Sequence, residues 1–299
     1  MKRKQRTALA DRCAAVFILV GALVFLMPTV LTIANSFMTR SEIDANYGAM
    51  IDNVTDREKS YISDDVNLKF IPDKVTFSQY RAVLITNSDY LMKFWNSVAL
   101  TVPITFFQIF LALIAAYGFS RFPSKGKTAI FFAYMVLMIM PYQVTLVPNY
   151  LVAKKFGLLG TRRAIILPAV FSPFSIYLLT KVMRRVPASY VEAAKLDGAG
   201  ELQILSRIYV PLCRSSIISV AMLVFIDYWN MVEQPLIMLP DEASRQLQPL
   251  SVFLSQVNKG DIGLAFALGV VYMIPTLLIF LWGEDSLVEG IACSGGLKG

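Results

Sequence analysis

Residues 189–216 read SYVEAAKLDGAGELQILSRIYVPLCRSS, the longest polar segment in the second half of a chain that is apolar on both sides of it. Val191 to Ile208 predicts two short helices hinged at Asp197-Gly198-Ala199-Gly200. Glu192, Ala193 and Ala194 open the first, where a carboxylate suits the positive end of the helix dipole. Leu202, Leu205 and Ile208 recur at helical spacing and predict one apolar face for the second. Pro211 is expected to end that helix, because its ring removes a donor and clashes with the preceding turn. Gly198 supplies a backbone free to turn sharply. An amphipathic hairpin projecting from apolar flanks needs a groove to lie in, which makes it a docking element.

The flanks set the fold class. The 299 residues are 56% hydrophobic, with a mean hydropathy of +0.57. Several apolar runs exceed the roughly 18 residues that mark a membrane-crossing helix. The pattern predicts an all-α polytopic membrane protein with six transmembrane helices at 14–34, 95–117, 129–150, 164–182, 217–239 and 263–282. The first run is about twice a signal-peptide core in length, so it is expected to stay as a span. Residues 35–93 and 240–261 become extracytoplasmic loops, and 189–216 a cytoplasmic one. The whole chain, 1–299, is expected to form one membrane domain of the cytoplasmic membrane, with both termini in the cytoplasm.

A net charge of +7 points to nucleic acid only if the spans are ignored. Basic residues gather at span ends, as the positive-inside pattern requires, so membrane lipid is the expected surroundings and nucleic acid is not a partner. Lys154, Lys155, Arg162 and Arg163, in a short outer loop, run against that pattern. Cys13, Cys213 and Cys293 are too few and too far apart for a disulfide framework or a zinc site. With no histidine either, no metal site and no catalytic residue is expected. Gly126-Lys127-Thr128 resembles part of a phosphate loop, but the glycine required four residues earlier is missing; a basic turn between spans accounts for it.

Asp227 and Glu233 fall inside the fifth span. Asp costs roughly 2.5–3.5 kcal/mol near a bilayer centre on insertion scales, so such groups face protein or water. At 100° per residue, Asp227, Asn230 and Gln234 share one face of a continuous helix, and Trp229 and Glu233 share a nearly opposite one. Asp227, Trp229, Asn230 and Gln234 are the candidate substrate path, since an aromatic beside hydrogen-bonding groups suits a sugar. Interhelical hydrogen bonding without substrate is the equal alternative. Pro141, Pro168, Pro173 and Pro275 are expected to kink their spans.

Glu192-Ala193-Ala194, then Gly198, then Ile208 and Pro211 resemble the "EAA" signature of permease subunits in binding-protein-dependent ABC importers. The chain is similar to the maltose-type (carbohydrate) members from Trp95 onward. The matching residues are Asn96-Ser97, the run from Ala115 to Phe122, Trp229-Asn230, Pro235-Leu236, and a tail ending Leu297-Lys298-Gly299. It departs from them at Val210, where leucine is usual, at Ser215, often proline, and at Met231, where an acid often follows Trp-Asn.

The resemblance implies that Glu192, Ala193, Ala194, Asp197, Gly198, Ile208 and Pro211 couple the spans to an ATPase. It also implies a second permease subunit forming a heterodimer, a cytosolic ATPase dimer and an extracytoplasmic sugar-binding protein. ATP and Mg would be held by the ATPase, and no cofactor by this chain. In the maltose-type pair the sugar is held mainly by the other subunit, while the 241–261 loop reaches the binding protein or packs on the permease as a lid. Three rivals stand beside this reading: an ABC permease for a non-sugar solute, an ion-coupled transporter using Asp227, and a membrane scaffold that recruits a cytosolic enzyme.

Overall fold

The computed structural model describes residues 2–55, 68–122, 124–256 and 262–294. Cys13, Cys293 and the Leu297-Lys298-Gly299 tail, as side chains, lie outside the described residues, as does Val257. The described residues are helical, with no strand among them. In chain order, α1 (Lys2–Asn35), α2 (Arg40–Thr55) and α3 (Ser78–Arg81) precede the long α4 (Ser88–Arg121). Then come α5 (Lys125–Ile139), α6 (Tyr142–Lys155), α7 (Arg163–Ala169) and α8 (Pro173–Met183). After α9 (Ala188–Leu196), α10 (Glu201–Ile204) runs through a π-helical turn over Leu205–Tyr209 into α11 (Val210–Leu212). The remaining elements are α12 (Arg214–Trp229), α13 (Glu233–Met238), α14 (Glu242–Arg245), α15 (Leu250–Ser255) and α16 (Ile262–Ser294).

Four described stretches are long and apolar enough to cross a membrane: Ala14–Asn35, Ser88–Arg121, Arg163–Met183 and Ile262–Val288. Two bent helix pairs raise the number to six, one bent by 103° between Ile139 and Tyr142 and one by 81° between Leu212 and Arg214. The expected third span is therefore broken. Pro141 has no N–H to continue the ladder, and it forces Met140 into an extended backbone with ψ 131, as a residue before proline prefers. In the fourth span the break comes at Pro173, which takes the first position of α8, while Ser172 caps that helix by accepting from Ser175 N.

The expected fifth span, 217–239, is also not continuous. α12 stops at Trp229 and α13 begins at Glu233. Pro235 lies in the first turn of α13, where its missing N–H costs least. It also leaves the carbonyl of Met231 without an intrahelical donor, and Ser251 Oγ donates to that carbonyl at 2.6 Å. The break removes the face geometry predicted for residues 227–234.

The chain falls into two compact units. In the first, formed by Met1–Leu91 with Gln256–Met273, Met38, Ile43 and Tyr47 are buried against Ile262 and Phe266. Asn35 Nδ2 donates to the Tyr47 hydroxyl at 2.7 Å. Gly263 lies so close to the Gln79 amide that a Cβ would displace it. The Val75-Thr76-Phe77 segment forms no strand; Thr76 N donates to Phe37 O at 2.8 Å. At the head of α2 the Glu42 carboxylate accepts from Asp73 N at 2.7 Å and pairs with Lys69 Nζ at 3.1 Å.

In the second unit, Met92–Ser255 with Ile274–Gly299, α8 packs against α5 and α12. One apolar cluster joins Ala112 and Ala116 of α4, Ile176 and Leu179 of α8, and Val220 and Val224 of α12. Gln108 Nε2 donates to Ser175 Oγ at 2.7 Å across the buried α4–α8 contact, and Gln108 Oε1 has no partner. Asn96 Nδ2 donates to Gln246 O at 2.6 Å and to Gln248 O at 3.2 Å, while Arg162 Nη2 donates to Asn96 Oδ1 at 2.6 Å. Leu250 N donates to Ser97 Oγ at 2.9 Å. Asn96-Ser97 thereby ties the described part of the 240–256 loop onto its own unit, the packing expected of a lid.

Two outcomes follow from these contacts. Interhelical hydrogen bonds in membrane proteins are worth about 0.6 kcal/mol on average and up to roughly 1.7. Ser175→Ala is expected to lower stability by that order in detergent unfolding, and adding Gln108→Leu recovers much of it by removing the orphaned amide. The second outcome concerns pH. The Asp73 N–H, seconded by the Lys69 ammonium, holds the Glu42 carboxyl below its ordinary value of 4.5. A lowered folded-state pKa gives stability that is complete above 4.5 and lost as pH falls below it. Hydrogen exchange at the Asp73 amide, corrected for its intrinsic pH dependence, should rise below pH 4.5 in the native chain and stay flat in Glu42→Gln.

Candidate functional site

The 189–216 segment folds as a hairpin with its turn at Gly198, but its first helix starts at Ala188, so Glu192 sits in mid-helix and not at the N-terminus where the sequence placed it. Gly198 has φ +80, a left-handed conformation that side chains with a Cβ resist. Asp197 caps α9, and Gly198 N and Ala199 N close the turn onto Lys195 O at 3.1 Å and Ala194 O at 2.9 Å. The exposed side of the hairpin carries Glu192 and Ala193, while Ala194 is half-buried.

The second arm differs from its predicted face. Leu202 is 79% exposed, whereas Ile204 and Tyr209 are buried and Leu205 and Ile208 are partly buried. Leu202 lies about 200° from Ile204 on α10 and so faces away from the core, while the i→i+5 bonds of the π turn over Leu205–Tyr209 put Tyr209, five residues after Ile204, on the inner side. Pro211 does not end this arm. It is exposed, sits in the first turn of α11, and is followed by the break at Cys213.

The inner side of the hairpin has no boundary with the spans. Val191, Ile204, Tyr209 and Cys213 are buried in the same cluster as Ala116, Leu179 and Val220, with Ala194, Ala199 and Ile208 packed against it. Tyr117, in the last turns of α4, is the key contact. Its ring meets Tyr209 edge-on with centroids 5.0 Å apart, and its hydroxyl donates to Glu201 Oε2. The other carboxylate oxygen of Glu201 pairs with Lys195 Nζ at 2.8 Å across the Gly198 turn. In the sequence Tyr117 stands out only within the Ala115–Phe122 run, and Glu201 and Lys195 do not stand out at all. Their opposite charges on either side of a predicted turn were the available signal.

The outer side is exposed and mixed, with leucines and a tyrosine set among Glu192, Asp197, Gln203 and Arg207. Leu196 is 89% exposed, and Tyr190 is 54% exposed.

A second feature lies at the break of the fifth span. Asp227, Tyr228, Asn230, Met231, Val232, Glu233 and Gln234, with Tyr142 and Gln143 across from them, line an open cavity of about 450 Å³. Gln143 Nε2 donates weakly to Glu233 Oε2 at 3.5 Å. The break, rather than a helical face, brings Asp227, Asn230, Glu233 and Gln234 together. Trp229 does not join them. It is 1% exposed, stacked on Phe225 at 5.4 Å and edge-on to Phe94 at 5.7 Å. Tyr142, Gln143 and Tyr228 were not predicted, because only the proline break in the third span brings the first two to the cavity.

The described structure is thus a set of membrane-length helices with an exposed hairpin rooted in them and a polar cavity between broken helices. Residues 108–287 match the family model described as binding-protein-dependent transport system inner membrane component, and the chain belongs to that family. It is 29% identical over 227 residues to a lactose transport system permease protein of Rhizobium radiobacter, covering 75% of this chain and 83% of the relative. A polygalacturonan/rhamnogalacturonan transport system permease protein of Bacillus subtilis (strain 168) is 29% identical over 300 residues, covering 95% and 96%. Among solved structures, a chain of a bacterial ABC transporter involved in the import of the acidic polysaccharide alginate superposes with a TM-score of 0.73. It shares 21% identity and the match covers 93% of this chain and 96% of that one, so it supports the fold alone.

The Tyr117–Glu201 contact predicts a measurable consequence. Tyr117→Phe keeps the ring on Tyr209 but removes the hydroxyl, so the protein should fold with little loss of stability. A spin label at exposed Ser206 should nevertheless gain mobility, and Glu201→Gln, which can still accept from Tyr117, should gain less.

Proposed function

We propose that this chain is one permease subunit of an importer that moves a sugar across the cytoplasmic membrane, driven by ATP hydrolysed on a separate ATPase. The observation that carries the reading is the hairpin: two highly exposed leucines among charged residues on its outer side, and continuity with the core of the spans on its inner side. Such an element passes force. A partner that grips Leu196 and Leu202 moves Ile204 and Tyr209, and through them α4, α8 and α12. In this reading Glu192, Ala193, Ala194, Asp197, Gly198, Ile208 and Pro211 belong to the coupling segment, which faces the cytosol with both termini.

The partners are a second permease, completing a heterodimer, a cytosolic ATPase dimer that holds ATP and Mg, and an extracytoplasmic binding protein that delivers the solute. The sugar assignment rests on the names of the relatives and on the cavity, whose amides, phenols and carboxylates suit hydroxyl-rich solutes. Asp227, Asn230 and Gln234 lie on the solute path in this reading, while Trp229 supports it from behind by fixing the end of α12.

The test uses the assembled importer in proteoliposomes. Gly198→Val strains the left-handed turn by roughly 1–2 kcal/mol and is expected to cut ATP-driven uptake at least tenfold without preventing membrane insertion. Leu196→Asp with Leu202→Asp is expected to abolish co-purification of the ATPase. Uptake that persists at full rate in both variants, or that runs on an ion gradient with the ATPase absent, would sink the reading.

A further inference from the structure

We propose that the cavity at the break of the fifth span is a charge filter that admits uncharged or positively charged saccharides and turns away those bearing carboxylates, with Asp227 and Glu233 as its specificity-determining residues. The inference rests on the reading that this cavity lies on the solute path.

The ionisable lining is one-sided. Two of its residues are carboxylic acids and none is a lysine or arginine. Neither acid has a basic partner among the described residues, where the ion pairs involve Lys69 and Lys195 instead. Glu233 has only the weak amide contact from Gln143. Uncompensated charge in a cleft with low-dielectric walls acts at longer range than on an open surface, because protein and lipid screen it poorly. A solute carboxylate would meet like charge in a space of about 450 Å³. A neutral sugar meets acceptors for its hydroxyls, and an ammonium group on an amino sugar meets its counter-charge.

A second observation points to a ligand. Gln234 is 4% exposed, lines the cavity, and its side-chain amide has no hydrogen-bond partner among the described residues. Its amide atoms are not closed off from solvent, so donor and acceptor open onto the cavity, to be met by water or by a solute. A hydroxyl, which donates and accepts, satisfies both halves. A carboxylate satisfies only the donor.

The filter can be tested without knowing the natural solute. In the assembled importer, cysteine is placed at Val232, a neutral lining position, after the native cysteines are replaced. The rates of modification by a cationic and an anionic methanethiosulfonate are then compared, each scaled to its rate with a free thiol. The cationic reagent should be favoured at least about tenfold, and Asp227→Asn with Glu233→Gln should bring the ratio close to that of the free thiol. A native ratio equal to the free-thiol ratio, or one unchanged by the double substitution, overturns the proposal whatever the importer carries.

Transport gives the second arm, with labelled cellotriose, the glucosamine trimer and trigalacturonate as probes. The native importer should carry the neutral or cationic probe and discriminate against trigalacturonate, and the double variant should reduce that discrimination at least several-fold. The binding protein is the same in both, so a changed ratio belongs to the permease. Trigalacturonate carried as fast as the neutral probe overturns the filter and leaves the sugar reading intact. ATP-driven uptake of an amino acid with none of the three saccharides overturns the sugar reading, and the filter as a sugar filter falls with it.

Discussion

Inside a bilayer no water is available to an unpaired backbone carbonyl, so every break in a spanning helix must be repaired by protein or opened onto a polar space. The fifth span shows both solutions within three residues. Pro235 deprives Met231 O of its helical donor, and Ser251 Oγ supplies a bond at 2.6 Å. Asn230 to Val232 meanwhile face the cavity. The loop segment that carries Ser251 is itself held by Ser97 at Leu250 N and by Asn96 at the carbonyls of Gln246 and Gln248. A single missing N–H thus makes the lid part of the span, and the cavity exists because the helix cannot close through it.

The hairpin obeys the complementary rule. Its backbone needs are met locally, by the Gly198 turn and the π turn, so its side chains are free to face two ways. The π turn matters most. It brings Tyr209 to the side on which Ile204 is buried; Leu202, about 200° from Ile204 on α10, faces out before the π turn begins. With Leu196 on the other arm, the hairpin then presents two leucines, at 89% and 79% exposure, on either side of a turn stiffened by the Lys195–Glu201 pair.

These two regions show where sequence was sufficient. Apolar run length predicts spans because crossing a bilayer demands it, and a Gly in a polar hinge predicts a left-handed turn because few other residues tolerate one. The hairpin and its Gly198 turn were therefore legible. Which way each side chain faced was not, since a π turn leaves no mark in hydrophobic spacing. The cavity was half legible: Asp227, Asn230 and Gln234 stand out as polar residues in an apolar run, but their grouping was argued on a continuous helix that does not exist. Trp229 entered on other grounds, that an aromatic beside hydrogen-bonding groups suits a sugar, and its burial against Phe225 and Phe94 takes it out of the cavity. Tyr142 and Gln143 reach the cavity only through the 103° bend at Pro141, a tertiary fact that proline announces as a break without giving its direction.

The joint between the two regions is α12. Its first half, through Val220 and Val224, lies in the cluster that takes in the hairpin, and its last residues, Asp227 to Trp229, reach the cavity and the aromatic packing behind it. Trp229, wedged between Phe225 and Phe94, leaves little room for the end of the helix to bend independently of its start, since close-packed interiors transmit displacement rather than absorb it. In the proposed coupling, a shift imposed at Ile204 and Tyr209 would reach Asp227 through α12 as a movement of the carboxylate. This is why a buried tryptophan beside the cavity serves the site better than one lining it: what the cavity needs from residue 229 is a fixed helix end.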